Sequence, residues 1–345
     1  MHEKELTIDG VALGQLFRGH KDKKDKLFAF PAQSNVSGVQ HSLHWVKAAQ
    51  LEGWDVLLDA AAFVPASALD LSTVQPDFVP ISFYKILGYP TGIGCLLIKR
   101  SAFHKLRKPS FAGGTITISS AGYDGYFLKP DHERFEDGTV NYLDIPAIIN
   151  GLDFITGLNI DRINDRLKQL SAFFLQHLRQ LRHDNGLELI RLYGPAHTEK
   201  RGATFLLNFI DATGRMYPFQ YIEESANAAM ISLRSGCFCN PGIDEINHGI
   251  SADELKNFFI NRKYGDYHEM IEHLGRWRGA LRVSMGVPTT KADIEKFVSF
   301  AKKFLNRIMA PEVFSGALAS LCGRIRPGAL PTISAGRAMK HNCME

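Results

Sequence analysis

After a polar opening, the chain settles between Leu27 and Arg100 into short apolar runs separated by Gly, Pro and polar breaks. Leu27–Phe30, Val56–Asp59, Phe78–Phe83 and Ile93–Ile98 each read as a strand. Their apolar residues do not alternate with polar ones, which predicts strands covered on both faces and hence an α/β sheet. Between the first two, His41–Leu51 has helical spacing, with Leu43, Val46, Ala48 and Ala49 available for one face. Further on, Asp144–Phe154 and Asp161–Leu181 predict amphipathic helices. The second carries Ile163, Leu167, Leu170, Phe173, Phe174 and Leu178 on one stripe. Strands over Ala203–Ile210, Ile231–Arg234 and Ala280–Met285 then alternate with helices over Pro218–Met230, Ala252–Ile260 and Lys291–Met309. That rhythm, following a helical connector, predicts a smaller α+β lobe. The expected organisation is a leader over 1–26, part of a large domain over 27–155, a small C-terminal domain over 156–310, and a poorly ordered tail over 311–345.

Composition narrows the class. Of 345 residues, 45% are hydrophobic and 22% charged, the balance of a globular chain with a sizeable core. The net charge of +4 is a mild surplus with no purely basic stretch, so nucleic acid is not an expected partner. No apolar run reaches the roughly 18–20 residues of a bilayer span. The opening residues carry Glu3, Glu5, Asp9 and a mixed Lys/Asp run, unlike a signal or transit peptide. Five scattered cysteines do not make a disulfide scaffold, and a cytoplasmic setting is expected.

Candidate chemistry begins where the strands end. Asp59 closes one predicted strand, and Lys85 follows the next in Ser82-Phe83-Tyr84-Lys85-Ile86-Leu87-Gly88. Ligands of open α/β sheets collect at the carboxyl ends of strands, so both side chains are placed to enter one cleft. A lysine among Phe83, Ile86 and Leu87 is expected to be partly desolvated, which favours the neutral amine. Taken alone, the same residues more often read as a snorkelling lysine and a helix-capping aspartate.

The surrounding words decide the matter. Ser34-Asn35-Val36-Ser37-Gly38, Leu58-Asp59-Ala60-Ala61-Ala62, the Lys85 segment through Gly94, Phe111-Ala112-Gly113-Gly114-Thr115, Arg134–Thr139 and Arg234-Ser235-Gly236-Cys237-Phe238-Cys239-Asn240-Pro241-Gly242 occur in that order. The series resembles the class V aminotransferase-like family that depends on pyridoxal 5'-phosphate (PLP) and includes cysteine desulfurases. It is most similar to the desulfurase-like N-terminal part of molybdenum cofactor sulfurases. The resemblance runs from about Leu27 to about Arg307. It implies PLP fold type I, with a partial, mostly parallel sheet in the large domain and a smaller α+β C-terminal domain.

By position, the resemblance makes Lys85 the residue that carries the cofactor covalently and Asp59 the partner of its pyridine nitrogen. Asn35 is implied near the ring or substrate, Ser82 and Tyr84 at the phosphate, and Gly114 and Thr115 against a partner subunit's cofactor in a homodimer. Arg282, with Asn35 and Arg234, is implied to take the carboxylate of an amino acid, cysteine first, a bidentate task suited to guanidinium. Cys239 matches the sulfur-accepting nucleophile, and Ala62 stands where many desulfurases carry glutamine.

From the residues alone, Cys237 and Cys239 remain open to three other readings. They could be plain buried cysteines, a redox pair, or half of a metal site with His248, though those ligands are too few for zinc. Cys95 is expected in the core. Relatives also carry, ahead of the first strand, a Gly/Thr phosphate-binding turn and an aromatic ring stacked on the pyridine. Neither occurs before Asn35, and Gly10–Gly19 is a poor substitute. Losing two or three phosphate donors at about 1.5–3 kcal/mol each costs on the order of 5 kcal/mol, more than a thousandfold in affinity. The expected function is therefore sulfur transfer from an amino acid, through a chain that resembles a fragment or one piece of a split enzyme. The alternatives are an aminotransferase or other lyase on a non-sulfur amino acid, and a non-catalytic remnant.

Overall fold

Two parallel pairings build the first sheet of the computed structural model, which describes residues 1–310 apart from Pro90 and Asn261. Helix α1 (Gly10–Gly19) precedes strand β1 (Leu27–Pro31), helix α2 (His44–Leu51) and strand β2 (Asp55–Asp59). Strand β3 (Phe78–Ser82), helix α3 (Phe83–Leu87) and strand β4 (Gly94–Ile98) follow. The order is β1-β2-β3-β4, with β1, β2 and β3 parallel and β4 antiparallel to β3. Phe30, Val46, Val56, Leu58 and Phe63 form the buried core between this sheet and α2.

Two expectations change here. Strand β4 is not covered on both faces, since Leu96 and Leu97 are 45% and 39% exposed. It lies at the sheet edge with β3 as its one neighbour, so an apolar run alone did not reveal the layer above it. Residues 1–26 are folded against the sheet. Asp9 caps α1 by accepting from the amides of Val11 and Ala12 at 3.0 and 3.1 Å. The ring of Phe17, on α1, is buried edge-on to Phe28.

A hairpin of β5 (Ile116–Ser119) and β6 (Tyr126–Leu128) leads to the connecting helices α4 (Ala147–Leu158) and α5 (Ile160–Gln180). The second lobe then runs β7 (Ile190–Tyr193), β8 (Thr204–Phe209), α6 (Phe219–Ala228), β9 (Arg234–Gly236), α7 (Pro241–His248), α8 (Ala252–Phe259), α9 (Tyr267–Leu274), β10 (Ala280–Ser284) and α10 (Lys291–Lys302). Its sheet, ordered β7-β8-β10-β9, is antiparallel throughout. Phe174, Phe205, Phe209, Leu281, Phe297 and Phe300 fill the core between that sheet and its helices. The predicted strand at Ile231–Arg234 forms slightly later, as β9, and the closing helix stops at Lys302 rather than Met309. The tail expected over 311–345, with Cys322 and Cys343, lies outside the described residues.

A third, smaller cluster joins the lobes. Leu6, Val36, Val39, Tyr193, Leu206 and Phe238 pack together, drawn from the opening residues, the loop after β1 and the second lobe. The loop crosses by backbone bonding, with the Gly202 amide donating to Gly38 O at 2.8 Å and the Gln40 amide to Lys200 O at 2.9 Å. Arg201 is buried beneath it, stacked on the Phe205 ring and donating to Ser37 O and Thr204 O. Gly38 has φ +74, and a Cβ there would lie 2.1 Å from Thr204 O. Gly38→Ala is therefore expected to lower unfolding stability by about 3 kcal/mol or more, measured by urea denaturation, because backbone must move to admit the methyl group.

Asp211, after β8, is fully enclosed. Burial there opposes ionisation, yet donors from Thr213, Met309 and Arg215 outweigh it and hold the pKa down to about 2, from 3.8. A depressed carboxylate pKa contributes stability that is complete above the unfolded value and is lost as pH falls through the folded one. Stability is thus expected to drop by about 2 kcal/mol between roughly pH 4 and pH 2. Asp211→Asn should flatten that part of the stability–pH curve.

Candidate active site

The parallel strands bring the first candidates together at one edge. Strands β2 and β3 end side by side, with the Ala60 amide donating to Pro80 O at 3.3 Å. Asp59 closes β2, Ser82 closes β3, and α3 carries Tyr84 and Lys85 immediately beyond. Asp59 spends Oδ1 on the Ala61 amide at 2.9 Å, while Oδ2 makes no hydrogen bond among the described residues. Ser82 precedes α3 without capping it, so its hydroxyl is uncommitted there. Lys85 is exposed rather than desolvated, because its five-residue helix turns Phe83, Ile86 and Leu87 inward and the amine outward.

The second group is assembled across the seam between the lobes. Asn35 donates from Nδ2 to Phe238 O at 3.0 Å, and its own carbonyl accepts from Arg282 Nη1 at 2.8 Å. Arg282 lies over the Phe238 ring at 5.1 Å, and its Nε is a buried donor with no partner among the described residues. Arg234 stands opposite Arg282 in the register of β9 and β10. Cross-strand partners share a face, and like charges there repel. Burial, with the Arg234 guanidinium beside it, pushes Arg282 below the usual arginine range, while the Tyr84 phenol opposes the shift. Two guanidiniums facing one another, one with a buried idle donor, are chemically suited to an anion such as a carboxylate.

Cys239 is exposed and Cys237 half-buried, both as free thiols. Phe238 and Cys239 both adopt left-handed backbone, φ 54 and 58, a conformation costing roughly 1–2 kcal/mol per non-glycine residue. Asn35 and the buried Phe238 ring hold that turn, and Cys239 directly precedes Asn240, which caps α7 through the Ile243 amide. Backbone strain of this kind clusters at functional loops. His248 does not join the cysteines. Its Nε2 meets Gly279 O at 3.1 Å and lies 3.4 Å from Asp244 Oδ1. Among the described residues no three His, Cys, Asp or Glu side chains gather as a metal site.

Gly114 and Thr115 lie apart from these groups. The Gly138 amide donates to Gly113 O at 2.7 Å, so two of the sequence words meet, and a Cβ on Gly114 (φ +84) would fall 2.7 Å from Gly138 O. The Thr115 hydroxyl is buried and committed to Ala112, leaving the exposed glycine backbone as the presented surface. Cys95 is half-buried on the edge strand rather than in the core, and burial pushes its thiol pKa up. The role of Phe238, clamped between Asn35 and Arg282, was missed from sequence. An aromatic residue between two cysteines was the one available signal.

A mostly parallel sheet with charged groups at its carboxyl edge is thus joined to an antiparallel lobe bearing a strained cysteine turn. The chain belongs to the aminotransferase class-V family, whose model matches residues 3–297. It is 38% identical over 290 residues to the molybdenum cofactor sulfurase of Homo sapiens, covering 79% of this chain and 32% of that protein. It is 37% identical over 298 residues to molybdenum cofactor sulfurase 3 of Aedes aegypti, covering 80% of this chain and 39% of that one. The chain thus spans about a third of the length of these relatives. A cysteine desulfurase from Thermococcus onnurineus shares its fold, with a TM-score of 0.68 at 24% identity over 88% of this chain and 65% of that one. The α/β architecture is accordingly that of PLP fold type I.

Asn35→Asp removes the donor to Phe238 O and places a charge beside a carbonyl. Hydrogen exchange at the Asn240 amide, bonded to Cys237 O at 3.0 Å, is expected to speed up by roughly 10–100-fold, the cost of one lost bond of about 1–3 kcal/mol. Unchanged exchange would mean the turn is held without Asn35.

Proposed function

We propose that the chain forms the PLP-binding, cysteine-desulfurising part of a sulfur-transfer enzyme. The observation that carries this reading is the Arg282–Asn35–Phe238 linkage, which sets a carboxylate receptor beside the strained turn of Cys239. The residues present suit the cofactor at its ring. Asp59 keeps one carboxylate oxygen uncommitted for the pyridine nitrogen, and Lys85 offers an exposed amine one strand away. Ser82 and Tyr84 have hydroxyls at the same edge for the phosphate. When bound, PLP supplies an electron sink for the bonds of the substrate's α-carbon.

Arg282 and Arg234 grip the α-carboxylate of cysteine, and Asn35 fixes Arg282 in place. Asp59 holds the proton on the pyridine nitrogen, and Lys85 Nζ moves the proton at Cα. Cys239 Sγ, as thiolate, then bonds to the substrate sulfur as the Cβ–S bond breaks. The electron pair stays with Cβ, which takes a proton and leaves as alanine, while Cys239 retains the sulfur as a persulfide. An exposed thiol suits onward delivery, and similarity to molybdenum cofactor sulfurases supports the molybdenum cofactor as acceptor. A second copy of the chain would cover Leu96, Leu97, Leu143, Ile149 and Phe154, all exposed, and meet the Gly113–Gly114 backbone. A free thiol also fits a reducing cytoplasm, and among the described residues no helix is long and apolar enough to cross a membrane.

The test mixes purified chain with PLP and cysteine. Lys85→Ala is expected to abolish the visible absorbance band of bound PLP. Cys239→Ser should retain that band and lower sulfide release under reductant at least a hundredfold. Undiminished sulfide from Cys239→Ser would overturn Cys239 as the acceptor, and no PLP band in the parent chain would overturn the cofactor assignment.

A further inference from the structure

A hollow in the second lobe lies at the far end of α7 from Cys239, and shares no lining residue with the candidate active site. It is a cavity of about 680 Å³, within the range of small-ligand sites. Arg191 enters it from β7, Arg215 from the turn after β8, and Arg276 from the link between α9 and β10. His248 ends α7 on its wall, and Trp277 and Met309 supply apolar surface.

Three guanidiniums from separate segments converge here with incomplete neutralisation. Arg215 pairs with Asp211 at 3.2 Å, and Arg276 with Glu254 at 2.5 Å. Asp211 is already shared among donors from Thr213, Arg215 and Met309. Arg191 forms no ion pair with a carboxylate among the described residues, and Arg276 Nε is a buried donor without an acceptor among them. The Nε2 of His248 is spent on Gly279 O, which leaves Nδ1 as its available ring nitrogen. Burial pushes the imidazole pKa down, Asp244 opposes that, and Arg278 and Arg191 add to it. Arg191 and His248 both line the cavity.

A carboxylate has two oxygens and saturates a single bidentate fork. Arg191 offers an unpaired fork, and the guanidiniums of Arg215 and Arg276, each already on one carboxylate, add positive charge beside it, a basic wall that suits the several oxygens of a phosphate ester. The indole and thioether walls suit a flat or apolar group attached to it. We propose that this cavity is a binding site for a small phosphomonoester that also carries an aromatic ring, distinct from the site of Lys85 and Cys239.

Calorimetric titration of the whole chain with AMP tests this, with adenosine, inorganic phosphate and three variants as controls. Saturable one-to-one AMP binding is expected, competed by phosphate and at least tenfold tighter than adenosine. Arg191→Gln and Arg276→Gln should each weaken it at least tenfold while far-ultraviolet circular dichroism stays unchanged. Arg191 is exposed and free of carboxylate pairing, so its variant keeps the fold even if the Arg276 variant does not. Arg282→Ala, at the other site, should leave AMP affinity within twofold. Absence of saturable binding at millimolar AMP would overturn the proposal. So would equal affinity for adenosine, or loss of binding through Arg282→Ala with Arg191→Gln unaffected.

Discussion

A guanidinium reaching from the second lobe to a backbone carbonyl of the first, Arg282 Nη1 to Asn35 O at 2.8 Å, is the bond around which the site is arranged. The loop after β1 has left its sheet, so its polar backbone needs partners elsewhere. It finds them in the second lobe, at Arg201, Gly202, Lys200 and Arg282. Gly38 lets the two backbones come within a distance that no side chain permits. With the seam closed, Asn35 faces Phe238, and the cysteine turn can be held in a conformation it would not keep alone.

The seam also explains the electrostatics. Arg234 and Arg282 face each other across β9 and β10, an arrangement that costs free energy unless an anion lies between them. The β10 arginine is half-buried under Phe238, where solvent screens less of the repulsion. Asp59 and Lys85, by contrast, are exposed at the strand ends. The Arg282–Asn35–Phe238 linkage is therefore firmly tied, while the strand ends at Asp59 and Lys85 are more open. Leu96 and Leu97 of β4 and Ile149 and Phe154 of α4 are exposed apolar residues as well.

Much of the first lobe was legible because its strands are continuous apolar runs cut by Gly and Pro, and Asp59 and Ser82 sit where those runs stop. The order of the short words carried the family. The antiparallel strand β7 was not legible, since four residues with a single polar one fit several patterns. Nor were α7 and α9, eight-residue helices defined more by caps at Asn240 and Asp266 than by an apolar stripe. The exposure of Lys85 was misjudged because neighbours in sequence, Phe83, Ile86 and Leu87, turn to another side of one helical turn.

By itself, then, the sequence determined the strand–helix alternation, the positions of Asp59, Lys85, Arg282 and Cys239, and the family. Those depend on local pattern and on residue identity, which chain order preserves. Tertiary structure alone decided that Asn35 and Phe238, 203 residues apart, share a hydrogen bond, and that three arginines from distant segments face one cavity. Such meetings follow from how two sheets are set against each other, a relation that no local periodicity records.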